Sequence, residues 1–78
     1  MMEIYVVTCT FNISHMLVDC AFKDVNDAKA YAAELNGNKT KAIARCRNLL
    51  VRRQGKSMLK FLDEAAGITF EVVIAELK

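Results

Sequence analysis

EIYVVTCTFNISHMLVDCAF, Glu3 to Phe22, holds two β-branched and aromatic runs on either side of the turn-like NISH, and how they pair decides the fold. If the turn closes symmetrically on Ile13 and Ser14, the antiparallel partners are Phe11 with Met16, Cys9 with Val18, Val7 with Cys20 and Tyr5 with Phe22. All eight are apolar or amphipathic and fall on one face by the two-residue period of a strand. A slip of one residue would bring Asp19 and Lys23 onto that face, so the pattern predicts both the hairpin and its register.

Downstream, Asp24 reads as a helix N-cap with Asp27 at the third position, followed by Ala28, Tyr31, Ala32 and Leu35 at helical spacing. Asn36, Gly37 and Asn38 end that helix. A second is expected from Thr40 to Arg53, with Ala42, Ile43, Cys46, Leu49 and Leu50 on one face. Gln54, Gly55 and Lys56 interrupt it, and Ser57 can cap a short third helix that uses Met58, Phe61, Leu62 and Ala65 and stops at Gly67. The closing ITFEVVIAELK alternates again, with Ile68, Phe70, Val72 and Ile74 on one face. The order is β-β-α-α-α-β, an α+β fold in which helices cover one side of a three-stranded sheet. At 78 residues the chain is one domain, with a folded surface of roughly 4,700 Å² by area scaling.

A sheet covered on one side should carry polar residues on the other. Here that face offers Ile4, Val6, Leu17, Ala21, Val73, Ala75 and Leu77. A contiguous apolar patch on a small protein marks a contact surface, so homodimerisation or a partner protein is expected there. The hydrophobic fraction of 54% fits such a surplus.

Charge is divided unevenly along the chain. Asn38 to Lys60 holds eight of the eleven basic residues and none of the nine acidic ones, a division concealed by the net charge of +2. At about 100° per residue, Lys41, Arg45, Asn48 and Arg52 form one exposed stripe on the second helix, with Arg47 on its flank and Lys56 just beyond. Without carboxylates at i+4 these cations gain no ion pairs within the helix. An external anionic surface would relieve their repulsion, so Lys41, Arg45, Arg47, Asn48, Arg52 and Lys56 are the candidate partner-binding residues. The partner is expected to be a protein or ribonucleoprotein with an acidic surface. A small DNA- or RNA-binding regulator is the alternative, which the lack of an aromatic base-stacking residue in the stripe and of any recognisable nucleic-acid-binding motif weakens. An oligomeric structural component is a further one.

Enzyme chemistry finds little to build on. QGKS, Gln54 to Ser57, lacks the glycine and the leading strand of a phosphate-binding loop, since Leu50 stands where that glycine belongs. His15 lies in the turn, and no nucleophile, base and orienting acid assemble by spacing, so neither catalysis nor a cofactor is expected. Cys9, Cys20 and Cys46 read as free thiols of a reducing compartment, and C-x5-H-x4-C matches no usual zinc spacing. No run reaches the roughly 20 apolar residues of a membrane span, and MMEIYVV lacks a basic leader and cleavage site. A cytoplasmic protein is expected.

The opening EIYVVTCT, the helix DVNDAKAYAAELN and the closing ITFEVVIAEL together resemble the organisation of many small phage and mobile-element proteins, a class that includes inhibitors of bacterial defence systems such as anti-CRISPR proteins. The resemblance spans most of the chain without a diagnostic motif, so it transfers no functional residue. It implies a non-catalytic inhibitor in the host cytoplasm that occupies a surface on a larger complex and blocks access of its ligand.

Overall fold

The structure, a computed structural model, describes residues 2–64 and 67–77, the side chain of residue 77 excepted. Strands β1 (Met2–Phe11) and β2 (His15–Phe22) form the hairpin, helices α1 (Val25–Asn36) and α2 (Lys39–Gln54) follow, and β3 (Thr69–Leu77) returns to the sheet. The sheet order is β2-β1-β3, antiparallel throughout. The expected α+β class, with helices on one face, therefore holds. Val7, Cys9 and Phe11 of β1 and Phe70 of β3 pack against Ala28, Ala32 and Leu35 of α1 and Ala42, Cys46, Leu49 and Leu50 of α2. The alanines let the helix backbones approach the sheet closely, and removing a residue such as Leu50 would cost about 2–5 kcal/mol.

The hairpin departs from the expected register at one point. Tyr5 faces Phe22 and Val7 faces Cys20 as expected, but beyond them Thr8 faces Val18, Cys9 faces Leu17 and Phe11 faces His15. Asp19 is the extra residue of a β-bulge, which sets two residues of one strand against one of its partner. The bulge reverses the facing of everything between it and the turn. Met16 and Val18, expected in the core, are exposed on the outer face, while Leu17, expected on the outer face, packs against the core. The turn spans Asn12 to Ser14 instead of closing on Ile13 and Ser14.

Local chemistry explains the helix boundaries. The Asp24 carboxylate accepts hydrogen bonds from the backbone N–H of Asn26 at 2.7 Å and of Asp27 at 3.4 Å, so the expected cap of α1 is present. Asn38 caps α2 by accepting from the Lys41 N–H at 3.2 Å. Gly55 ends α2 at φ 94°, a left-handed conformation open to glycine and costly for other residues. The expected third α-helix is instead a 3₁₀ helix, Lys56–Phe61, with Leu62 already extended. Six residues between that glycine and an extended Leu62 leave no room for α-helical hydrogen bonding to propagate. Leu62 and Asp63 are not helical, and Ala65, the last residue of the expected helix, lies outside the described residues.

The free edge of β3 is met by a side chain. The Asn36 amide donates to the Phe70 carbonyl and accepts from the Phe70 N–H, both at 2.8 Å, much as another strand would. The end of α1 thus occupies one site on an edge that could otherwise pair with a foreign chain.

Candidate functional site

The basic segment is less free than its sequence implies. Arg45 donates from Nε and Nη2 to the same Asp19 oxygen, at 3.0 and 2.5 Å, and the Tyr31 hydroxyl donates to the other at 2.5 Å. Asp19, whose side chain is 0% exposed, sits on the bulge, so the irregularity in β2 carries a carboxylate inward to meet α1 and α2. The bond to Asp19 holds the Arg45 pKa above its ordinary value. Burial first, and the Asp19 bond second, raise that of Tyr31. A buried charge with this many partners is a strut between sheet and helices.

Lys41 pairs with Glu34 of α1 at 2.5 Å, and Arg47 lies 4.0 Å from Glu64. The Lys41 bond holds the Glu34 carboxyl below the usual carboxylate range. Three of the six candidate partner-binding residues, Lys41 and Arg45 of the stripe and Arg47 on its flank, therefore meet carboxylates of their own chain. Arg45 in particular is half-buried and tied into the fold. Asn48, Arg52 and Lys56 are exposed, and among the described residues neither Arg52 nor Lys56 has a carboxylate within 4.0 Å. Intrahelical spacing could not reveal the Asp19 contact, because the two residues stand 26 positions apart.

A second feature escaped the sequence reading. A groove of about 410 Å³ opens where the hairpin tip, the end of α2 and the 3₁₀ helix converge, lined by apolar Phe11, Leu50, Met58, Phe61 and Leu62 with polar Asn12, His15 and Gln54. Among the described residues no carboxylate lines it. The Phe11 and His15 rings stack at 5.6 Å, forming one wall. Lys60 Nζ stands 5.2 Å from the centre of the exposed Phe61 ring at the lip. Arg53 donates to the Val18 carbonyl at 3.3 Å, which holds a further cation against the edge of β2.

The groove is braced by the turn. The Asn12 amide donates to the Phe61 carbonyl at 2.6 Å and accepts from the Asp63 N–H at 2.7 Å, tying the hairpin tip to the end of the 3₁₀ helix. Asn12 and Ile13 both have positive φ, 50° and 71°. Tight hairpins use such consecutive values, usually with Asn-Gly, and asparagine tolerates them. A β-branched residue does not, yet Ile13 stands there 85% exposed. Backbone strain of about 1–3 kcal/mol at an exposed apolar tip directs attention to a role in contact.

The outer sheet face is apolar with a changed membership. Ile4, Val6, Val73 and Ala75 lie where expected, Ala21 is exposed, and Met16 and Val18 take the place of Leu17. Leu77 pairs with Met2 at the strand end.

Cys9 and Cys46 are buried against each other and Cys20 is half-buried, all as free thiols. The hydrogen bond with Cys46, and then burial, push the Cys9 thiol up. Among the described residues no group of three or more His, Cys, Asp or Glu is placed to hold a metal ion, and no helix is long and apolar enough to cross a membrane.

Comparison with protein-family models, with curated proteins and with solved structures finds no match.

Proposed function

We propose that this protein acts by binding, seating an apolar side chain from an acidic segment of a partner protein in the groove between the hairpin tip and the 3₁₀ helix. The observation that carries the reading is a groove with five apolar lining residues and no carboxylate, beneath a lip where Lys60 covers Phe61. Apolar contact supplies anchoring, and Lys56 and Lys60 supply attraction and orientation towards carboxylates. Ile13, held out at the turn, contributes a second apolar contact at the same end of the molecule. The cations that matter are therefore those beyond the middle of α2, with Lys56 retained from the expected set and Arg45 removed from it.

The resemblance to small phage and mobile-element proteins supports a partner that is part of a larger host complex. Occupancy of its acidic surface would then exclude the natural ligand, with no reaction required.

Capture from nuclease-treated bacterial lysate with the wild type and with Lys56→Glu/Lys60→Glu tests the reading. An acidic protein retained by the first and lost by the second is expected. Equal retention by both counts against it. No protein retained, with binding to purified DNA or RNA that falls steeply between about 50 and 200 mM salt, would favour the phosphate-binding alternative instead.

A further inference from the structure

The edge of β3 carries an inference independent of the groove. Asn36 takes both backbone groups of Phe70, so Phe70 faces away from β1. Successive residues of an antiparallel strand alternate between its two sides, and β1 and β3 pair without a bulge. Val72, Ile74 and Glu76 therefore turn three N–H and three C=O groups outward with Phe70. Among the described residues nothing hydrogen-bonds to them on that side. Ile74 itself is 62% exposed. An open edge beside an exposed apolar side chain is a template for another strand.

The same stretch lacks support. Beyond the Tyr5–Phe22 pair, β1 and β3 continue without β2 as a ribbon in which Met2, Glu3 and Ile4 pair with Leu77, Glu76 and Ala75. Two-stranded ribbons are marginal in water, and a strand on the far side of β3 would make this one three-stranded. Within the ribbon Glu3 stands directly opposite Glu76, a like-charge cross-strand pair that costs stability. Glu71, also exposed, adds a carboxylate at the other end of the open stretch. Among the described residues none of these three has a cation within 4.0 Å.

We propose that the edge of β3 from Val72 to Glu76 accepts an extended segment of a partner protein as a fourth strand, one in which Lys or Arg residues flank an apolar centre. Main-chain hydrogen bonds supply attachment, and side chains choose the partner. A residue opposite Ile74 covers its exposed surface, while those opposite Glu71 and Glu76 meet carboxylates. The sign of these charges decides the occupant. An acidic strand is repelled, and so is β3 of a second copy, which would bring its own Glu71 and Glu76 to the same edge. Asn36 blocks the edge at Phe70, which sets where the added segment ends.

Titration of the isotope-labelled full chain with the capped peptide Arg-Thr-Val-Thr-Ile-Arg, followed by nuclear magnetic resonance, tests the proposal. Aligned antiparallel, its arginines face Glu76 and Glu71 and its valine faces Ile74. Chemical-shift changes and slowed solvent exchange at the Val72, Ile74 and Glu76 amides are expected, saturating at roughly millimolar peptide. The peptide with both arginines replaced by glutamate should bind about tenfold more weakly, and Glu71→Gln/Glu76→Gln should remove most of that preference. N-methylation of the peptide's valine, whose N–H would point at β3, should abolish the effect at these amides. Lys56→Glu/Lys60→Glu should respond like the wild type, which separates this edge from the groove. No effect at the three amides, equal binding of both peptides, or binding that survives N-methylation overturns the proposal. Amides of Val72, Ile74 and Glu76 already protected before peptide is added would mean that a second copy holds the edge, which overturns it too.

Discussion

Arg45 and Asp19 stand 26 residues apart and meet through two hydrogen bonds to one buried carboxylate oxygen. This contact turns the middle of the most basic segment of the chain into part of its framework. It also makes Arg45 unsuitable as a probe of docking, because Arg45→Glu would set two carboxylates against each other inside the fold.

Arg45→Met should destabilise the protein by about 3–5 kcal/mol, since it leaves the Asp19 charge buried without its main partner. Asp19→Asn keeps an acceptor in place and should cost about 1–3 kcal/mol. The double variant should cost less than the sum of the two, because the second change removes the charge stranded by the first. Urea denaturation of the four proteins measures this coupling. Strict additivity would mean that the pair does not act as a unit.

Alkaline pH should weaken the fold through Tyr31. Its folded pKa is raised, chiefly by burial, so the folded state holds the phenolic proton more tightly than the unfolded chain does. The stabilisation is fully present below the unfolded value of about 10 and is lost as pH rises through the folded value. Tyr31→Phe should cost about 0.5–1.5 kcal/mol at neutral pH and flatten the decline above pH 10. Unfolding midpoints across that range check the sign.

Ile13→Gly should stabilise the chain while harming its action. Glycine accepts φ 71° without a Cβ penalty of about 1–2 kcal/mol, partly offset by its greater freedom when unfolded, for a net gain of about 0.5–1 kcal/mol. Loss of the exposed side chain should weaken capture of the partner. Thermal melts and a binding assay run together test the pairing of these opposite effects.

Asn36→Ala removes both hydrogen bonds to Phe70 and should cost about 1–3 kcal/mol. Faster hydrogen exchange at the Phe70 amide and more aggregation through the opened edge are expected. Unchanged exchange there would argue against the edge-covering role.

Much of the architecture was legible because it is local. Alternating β-branched residues announced the strands, the Tyr5–Phe22 and Val7–Cys20 pairs followed from face matching, and Asp24 marked the start of α1. The bulge at Asp19 was not legible, because periodicity scores a regular ladder and a single inserted residue reverses it without altering composition. That one insertion moved Met16, Leu17 and Val18 to unexpected faces. Charge spacing within α2 revealed the stripe yet not its internal partners, which come from α1, β2 and Glu64. The groove depends on three segments converging around Asn12, and such convergence is a property of tertiary structure that leaves no spacing signal.

The central claim is that Lys56 and Lys60, on the 3₁₀ helix that borders the groove, meet an acidic partner. Titration of the captured partner with the wild type and with Lys56→Glu/Lys60→Glu, alongside their urea midpoints, tests it most directly. Affinity lower by roughly 10- to 100-fold at an unchanged midpoint is predicted. Equal affinity would contradict it.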